Sequence, residues 1–263
     1  MRDTRAVPSS APAPLVGRSA ERAALRRAVS ALGGGRAGIV AIEGEPGIGK
    51  SRLLAELAAV AREAGCTVLA GRASPSEADL PFGLLAAALD EHLAGLGARR
   101  LATLGLTDPA ALAGALPALG PAPDPAAAGD RHRAHRALRD LLERLSAGRP
   151  LVLALDDVHW ADPASLDALA ALARRPPAAP VLLALATRPV APPALVAVAL
   201  AEAAREDRAA VLRPGPLSRA DAEALVGPAA GRVYAASGGN PFYLEELARA
   251  GVCLLYTSPS PRD

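Results

Sequence analysis

Short apolar runs alternate along the chain with longer segments in which apolar residues recur every three or four positions. Four runs have the length and the aliphatic side chains of buried strands, at residues 38–43, 67–71, 151–155 and 181–186. The segments between them have the apolar spacing of amphipathic helices. Because strands that alternate with helices form βαβ units, the pattern predicts an α/β fold of three layers, with helices on both faces of a parallel sheet.

The helical segments carry start and stop signals. Residues 19–32 predict a helix with Ser19 as its N-cap and three glycines, at 33–35, after its end. Proline suits the first turn of a helix, so Pro163 favours a helix that begins at that residue. The remaining segments predict helices at residues 50–64, 131–145 and 163–174, helical pieces from 82–96 up to residue 119, and a linker at 120–129.

Composition narrows the class of protein. Of the 263 residues 51% are hydrophobic and 2% aromatic, so aliphatic side chains must build the core. The net charge of +2 argues against a strongly basic nucleic-acid-binding domain but leaves room for a local basic patch. Because no helix-turn-helix is recognisable, we expect no direct DNA binding by this segment. No run approaches the roughly 20 apolar residues of a membrane helix, and the start of the chain lacks the apolar core of a signal peptide. A cytoplasmic protein without a membrane partner is therefore expected.

The last eleven residues, 253–263, differ from the rest of the chain. About a quarter of all residues are alanine, yet this segment has none and is rich in serine and proline. One explanation is a Pro/Ser-rich chain end of the common disordered kind. The other is a translated sequencing adapter, because DNA that resembles the adapter of transposase-based libraries can encode this segment in one frame. We favour the adapter, and expect Cys66 to be the only native cysteine and the natural protein to continue beyond Val252.

A phosphate-binding pattern, G-x-x-x-x-G-K-[ST], lies at residues 44–51 between a predicted strand and a predicted helix. Its glycines let backbone N–H groups approach phosphate oxygens, Lys50 supplies a positive charge, and Ser51 supplies a hydroxyl for Mg²⁺. Lys50 is the only lysine among 29 basic residues, which argues against a chance match. The sequence therefore predicts that ATP or ADP is bound by Gly44, Gly47, Ile48, Gly49, Lys50 and Ser51.

Two aspartates follow the apolar run at 151–155. Asp156 would lie at the carboxyl end of that strand, where it could coordinate Mg²⁺, and Asp157 beside it could orient the attacking water. Two aspartates after a strand can also form a helix cap or a turn. The phosphate-binding pattern upstream favours the metal role.

A third polar element follows the run at 181–186. Arg188 is either a sensor of the γ-phosphate, if its strand neighbours the phosphate loop, or a solvated turn arginine before Pro189. The other candidates are weaker. Arg174 and Arg175 could form an arginine finger, but we expect them to be solvated surface residues. We expect the same for His132 and His135, which could form a metal-binding pair. His159 is expected to pack at the strand end.

These segments together resemble the ATPase module of the signal-transduction ATPases with numerous domains (STAND), which are AAA-like P-loop proteins. Within them, the chain most resembles the N-terminal part of large ATP-binding LuxR-type transcriptional regulators. The resemblance covers residues 15–251 and rests on Leu-Val-Gly-Arg at 15–18, the phosphate loop at 44–54, Leu-Asp-Asp-Val-His-Trp-Ala-Asp at 155–162, the strand and arginine at 181–189, and Gly-Asn-Pro at 239–241. Their helical-repeat region and helix-turn-helix have no counterpart here.

The resemblance implies a role for individual residues. Asp156 would hold Mg²⁺, Asp157 would be the hydrolytic carboxylate and Arg188 the γ-phosphate sensor, and the adenine would contact Val16, Gly17 and Pro241. Asn240 can also be the N-cap of a helix after the Gly-Asn-Pro segment, which is compatible with that role. We expect a flexible arm at residues 1–14, a P-loop core at 15–213, the start of a small helical lid at 214–252 and a non-native tail at 253–263.

The expected function is an ATP-binding regulatory switch with Mg²⁺ as its cofactor. Hydrolysis should be slow unless a partner or an oligomer supplies positive charge. Its partners would be the nucleotide and either further copies of itself or downstream domains. Two other classes stay open: an AAA+-type motor or loader, which needs an arginine finger and substrate-channel residues, and a scaffold that retains ADP without turnover. A kinase is disfavoured, because nothing resembles a pocket for an acceptor substrate.

Overall fold

The computed structural model describes residues 15–121, 131–189 and 193–256, with side chains up to residue 251. Its strands form one parallel sheet in the order β2–β3–β4–β1–β5. Their bounds are β1 (Gly38–Glu43), β2 (Thr67–Arg72), β3 (Leu151–Asp156), β4 (Val181–Thr187) and β5 (Ala209–Leu212). The predicted α/β fold with a parallel sheet is confirmed, and the four predicted strands match β1 to β4 to within one residue.

The helices connect these strands and continue beyond the sheet. Gly97, with φ 74°, interrupts the third of them, as expected for a residue with no Cβ. The described helices are α1 (Ser19–Ala31), α2 (Lys50–Glu63), α3 (Gly83–Thr103), α4 (Ala110–Ala113), α5 (Arg131–Ser146), α6 (Pro163–Arg174), α7 (Ala194–Arg205), α8 (Arg219–Val226), α9 (Ala230–Ser237) and α10 (Pro241–Tyr256).

Alternate residues of the central strands pack into two separate layers of helices. Leu151 and Leu153 of β3 belong to a core cluster with α3, α5, α6 and α7, whereas Val152 and Ala154 belong to a cluster with α1 and α2. All six residues of β3 are buried. A strand that buries both faces needs an unbroken apolar run, which is why the sequence predicted β3 so closely.

Two local expectations differ from the structure. Ser19 is not the N-cap of α1. Arg18 takes that place with φ −124° and no side-chain cap, and its carbonyl accepts the N–H of Arg22 at 2.9 Å. The side chain of Arg18 is buried and donates to the carbonyl of Ile48 at 3.2 Å, so the chain enters the helix one residue early. The edge strand β5 was not predicted, because none of its four residues is fully buried and they carry no apolar period.

Asp162 ties the segment after β3 to the helix layer. Its side chain caps α6 by accepting the N–H of Ser165 at 2.8 Å. The same oxygen accepts the N–H of Phe82, also at 2.8 Å, just before α3 begins. Asp162 is 2% exposed, so these bonds form in a dry environment. The loop that carries Asp157 is thereby anchored to two helices at once.

Several expectations fall on parts of the chain outside the described residues. These are the arm at 1–14, nearly all of the linker at 120–129, and residues 257–263 of the tail. Residues 253–256 of that tail belong to α10. In the described segments, no helix is both long enough and apolar enough to cross a membrane.

Candidate functional site

The predicted site lies where three neighbouring strands end. β1 leads into the phosphate loop at residues 44–49, β3 ends at Asp156 and β4 ends at Thr187. Parallel strands present their carboxyl ends at the same edge of a sheet, which is the usual ligand position in α/β folds. The N–H of Gly44 donates to the carbonyl of Thr187 at 3.2 Å, which joins the loop directly to the end of β4.

The phosphate loop needs its glycines for different reasons. Gly49 has φ 104° and is the residue before α2, so a side chain there would strain the backbone. At Gly47, with φ 77°, an added Cβ would lie 2.7 Å from Cβ of Phe242. At Gly44 it would lie 2.6 Å from the side chain of Ile48. The loop is therefore closely packed around its own backbone and against α10.

Lys50 is folded back onto the loop that precedes it. Its Nζ donates to the carbonyls of Gly44 and Glu45, both at 2.9 Å, and the residue is 7% exposed. Burial lowers the pKa of Lys50 from its ordinary value; the nearby Asp157 raises it and Arg188 lowers it. The ammonium is thus held by neutral carbonyls, and phosphate oxygens would be stronger acceptors for it.

The two aspartates of the acidic motif are held in different ways. Asp156 is 9% exposed, and its Oδ1 accepts the N–H of Asp157 at 2.9 Å. Asp157 has φ 52°, an uncommon backbone conformation for a residue with a side chain. Its Oδ2 accepts two hydrogen bonds from Arg72, from Nε at 2.9 Å and from Nη2 at 2.7 Å. The carboxylate predicted to orient water is therefore ion-paired, and this pair raises the pKa of Arg72.

Polar groups without partners gather at the ends of β3 and β4. Within the described chain, Thr187 Oγ1, Arg188 Nε and both ring nitrogens of His159 are buried and form no hydrogen bond. Arg188 lies over the ring of Trp160, 5.7 Å from its centroid. Burial and the charge of Arg188 lower the pKa of His159, which lies 4.0 Å from Asp157. A buried polar atom without a hydrogen-bond partner is unfavourable, and an anionic or hydrated ligand would supply the missing partner.

One cleft of about 610 Å³ brings most of the predicted residues together. It has the size of a small-ligand site. The predicted residues that line it are Val16, Gly47, Ile48, Gly49, Lys50, Ser51, Asp157, Arg188 and Pro241. Gly44, Asp156 and Gly17 do not line it. Gly44 holds Lys50, and Gly17, with φ 67°, packs on Asp221, where an added Cβ would lie 2.5 Å from Cγ.

The residues fit a magnesium nucleotide. No three His, Cys, Asp or Glu side chains form a metal cluster within the described chain. Mg²⁺ at nucleotide sites takes one or two protein ligands and completes its shell with phosphates and water, so Asp156 and Ser51 would suffice. Lys50 and the unpartnered Arg188 supply the positive charge that phosphates require.

The residues that open α10, in the predicted lid, contact the phosphate loop. Asn240 Nδ2 donates to the carbonyl of Pro46 at 2.9 Å, and the N–H of Phe242 approaches the carbonyl of Gly47 at 3.3 Å. Asn240 Oδ1 also accepts the N–H of Phe242 at 3.1 Å, as an N-cap does. Asn240 is 7% exposed. One side chain therefore caps the lid helix and binds the loop.

Replacing Asn240 with alanine should loosen the lid. The change removes a cap, worth about 1 kcal/mol, and leaves the carbonyl of Pro46 without its partner, worth a similar amount. We expect amide exchange in α10 to quicken by about 30-fold, which corresponds to about 2 kcal/mol. Hydrogen exchange with mass spectrometry measures this directly.

Asn240→Asp is the matched control, since it keeps the cap oxygen and loses the donor to Pro46. We expect it to show about half of the loss. Equal exchange in α10 for Asn240→Ala and the parent chain would contradict a clamp between lid and loop.

Sequence reasoning missed three side chains at this site. Arg72 is the last residue of β2 and lies opposite Asp156 in the sheet register, which can be known only once β2 is known to neighbour β3. Arg18 and Phe242 stand inside recognised segments, but only the fold shows their contacts with Ile48 and with the cleft. The remaining candidates lie elsewhere: Arg174 is exposed and 3.6 Å from Glu202, and His132, His135 and Arg175 line a different cleft.

Known proteins resemble this chain in sequence and in fold. A family model described as "AAA ATPase domain" matches residues 14–184. An uncharacterised protein of Rhizobium meliloti (strain 1021) is 34% identical over 178 residues, covering 61% of this chain and 17% of that protein. The chain thus spans less than a fifth of that relative's length.

Solved structures share the fold at low identity. The ORC1 protein of Aeropyrum pernix in complex with DNA gives a TM-score of 0.54 at 17% identity, over 96% of this chain and 64% of that one. Cdc6p of Pyrobaculum aerophilum gives 0.52 at 16%, over 84% and 51%. The Aeropyrum pernix ORC2 protein in ADPNP–ADP complexes gives 0.52 at 16%, over 94% and 66%. At such identities the likeness concerns the fold alone.

Proposed function

Because this chain belongs to the AAA ATPase domain family, we propose that it is an ATP-binding and slowly hydrolysing regulatory switch. The observation that carries this proposal is the direct bond from Asn240 of the lid to the phosphate loop, beside a cleft lined by Lys50, Asp157 and Arg188. A loop whose conformation follows the nucleotide, and a lid hydrogen-bonded to that loop, are the two parts a switch needs.

Each residue would have a defined task on MgATP. Asp156 and Ser51 would hold Mg²⁺. When bound, Mg²⁺ would neutralise charge on the phosphate oxygens. Lys50 would exchange its carbonyl acceptors for phosphate oxygens, and Arg188 would donate its free N–H groups to the terminal phosphate. Val16, Gly17 and Pro241 would surround the adenine; Val16 and Pro241 line the cleft, while Gly17 would shape the backbone beside it.

The ion pair of Arg72 with Asp157 supports slow turnover. A carboxylate oxygen that already accepts two hydrogen bonds from a guanidinium has less capacity left to orient an attacking water. Arg72 is 70% exposed, so a partner or a second copy could reach it and release Asp157. We infer that hydrolysis accelerates when this pair opens.

We also propose a setting for this module. It would be the N-terminal part of a LuxR-type transcriptional regulator in the cytoplasm, with nucleotide, self-association or downstream domains as partners and no DNA binding of its own. The motif segments and the much greater length of the Rhizobium meliloti relative support this. We propose a core at 15–213, a lid at 214–252 and an adapter-derived tail at 253–263. Leu217, Ala222, Ala230 and Leu244 form a separate small cluster in the lid.

Measuring phosphate release distinguishes the proposed switch from a nucleotide-locked scaffold and from an AAA+ motor or loader. The chain with MgATP should release phosphate at well under one turnover per second, below the 1–10³ per second of typical enzymes, and no faster with DNA. Malachite-green or coupled assays measure the rate. Bound ADP that is never exchanged, with no phosphate released, would favour the nucleotide-locked scaffold. Turnover strongly stimulated by a nucleic acid or protein substrate would favour the AAA+ motor or loader.

A further inference from the structure

A second cleft, of about 570 Å³, lies between α5 and α6 and shares no lining residue with the nucleotide cleft. We call it the basic cleft. It is lined by Arg131, Arg136 and Arg139 of α5, by Arg174 and Arg175 at the end of α6, and by two histidines of α5. Asp167 is the one acidic residue among these lining side chains. Positive charge is therefore concentrated in a concave site on a chain whose net charge is only +2.

Part of this charge is balanced by acidic neighbours. Arg131 donates to Asp167 at 3.0 Å, and Arg174 lies 3.6 Å from Glu202. Both arginines are well exposed, at 76% and 42%, so solvent weakens these pairs. An anion in the cleft could compete with either carboxylate.

Two arginines of the basic cleft have no such neighbour. Within the described chain, Arg136 and Arg175 form no ion pair and no side-chain hydrogen bond. Elsewhere on the same helix, Arg144 pairs with Asp140 at 3.2 Å. Arg139, which also lines the cleft, lies 4.0 Å from Glu143, one turn further along α5. Arg136 and Arg175 are therefore the two arginines of the basic cleft that have no acidic partner in the described chain.

His135 adds an unsatisfied polar atom to the same cleft. Its Nε2 is buried and has no hydrogen-bond partner in the described part of the chain. Burial, together with the neighbouring Arg131 and His132, lowers the pKa of His135, while Asp167 raises it. A buried polar atom without a partner costs free energy, and a ligand oxygen in the cleft would remove that cost.

We propose that the basic cleft binds a small phosphorylated ligand. Guanidinium groups match phosphate oxygens in pairs, and the volume lies within the range of small-ligand sites. Leu172 and Leu195 also line the cleft and would contact the organic part of the ligand. A double-stranded nucleic acid would instead require a basic stripe that extends across the surface. α6 begins six residues after Asp157, so the site lies on a helix that leads directly from the acidic motif.

Imidazole resonances offer a site-specific test, because the chain has only four histidines. His132 and His135 line the basic cleft, His159 lies beside Asp157, and His92 lies on α3. The 263-residue chain is titrated with pyrophosphate and followed by NMR. We expect the signals of His132 and His135 to shift along one saturation curve, and the pKa of His135 to rise. The signal of His159 should follow a second saturation curve, which reports pyrophosphate binding at the phosphate loop. His92 should not move.

Matched double variants complete the test. Arg136→Gln with Arg175→Gln should weaken the first curve at least tenfold and leave the second unchanged. Arg26→Gln with Arg27→Gln, which alters two exposed arginines of α1, should change neither by more than twofold. The proposal is overturned if both pairs weaken binding equally, or if His132 and His135 stay still or share the curve of His159. It is also overturned if duplex DNA moves them and pyrophosphate does not, since the ligand would then be a nucleic acid backbone.

Discussion

Replacing Lys50 with alanine is expected to weaken ATP binding at least about 30-fold, because removal of one buried charge from a paired site costs about 2–5 kcal/mol. The ammonium is 7% exposed and already desolvated, so it reaches the phosphates without a further large cost. Lys50 is the only lysine of the chain. Isothermal titration calorimetry with ATP and Mg²⁺ gives the dissociation constant.

The expected loss must be separated from damage to the loop itself. Lys50 also bonds the carbonyls of Gly44 and Glu45, so thermal unfolding without nucleotide reports any structural effect of the variant. Arg27→Ala, on the exposed side of α1, is the control for a lost positive charge. If Lys50→Ala binds ATP as tightly as the parent chain, the assignment of the phosphate loop fails.

Local pattern was sufficient for the parts of the fold that bury both faces of a strand. β1, β3 and β4 are continuous aliphatic runs, and no solvent-facing position interrupts them. β5 has four residues and takes its position from pairing with β1, which is a non-local contact. Its sequence, Ala-Ala-Val-Leu, does not distinguish an edge strand from a helix end.

The candidate site likewise has one part that local sequence predicts and another that depends on long-range contacts. The phosphate loop could be predicted because its chemistry is contained in eight consecutive residues. The bond from Asn240 to Pro46 spans 194 positions, and the pair of Arg72 with Asp157 spans 85. Asn240 stands in the recognised Gly-Asn-Pro segment, but no pattern along the chain reveals its partner. Arg72 stands among 28 arginines and had no signal of its own.

Asp157→Ala should abolish most phosphate release and leave ATP binding intact. Removal of a group that takes or orients a proton commonly costs about 10²–10⁴ in rate. Binding should change by less than about threefold, because a carboxylate near phosphates repels them and contributes no attraction. Single-turnover hydrolysis and calorimetry on the same preparation measure the two effects. Equal hydrolysis in parent and variant would remove Asp157 from the mechanism.

Arg72→Ala is the informative companion to that variant, because it deletes the partner and keeps the carboxylate. If the pair restrains Asp157, its loss should raise the rate of phosphate release several-fold, and the double variant should be as slow as Asp157→Ala. Arg72 is 70% exposed and remote from the core, so the substitution should not lower the free energy of unfolding by more than about 1 kcal/mol. A rate that falls in Arg72→Ala as far as in Asp157→Ala would show the opposite relation, in which Arg72 aligns the carboxylate for catalysis. The sign of this one change therefore decides whether the ion pair restrains hydrolysis or supports it.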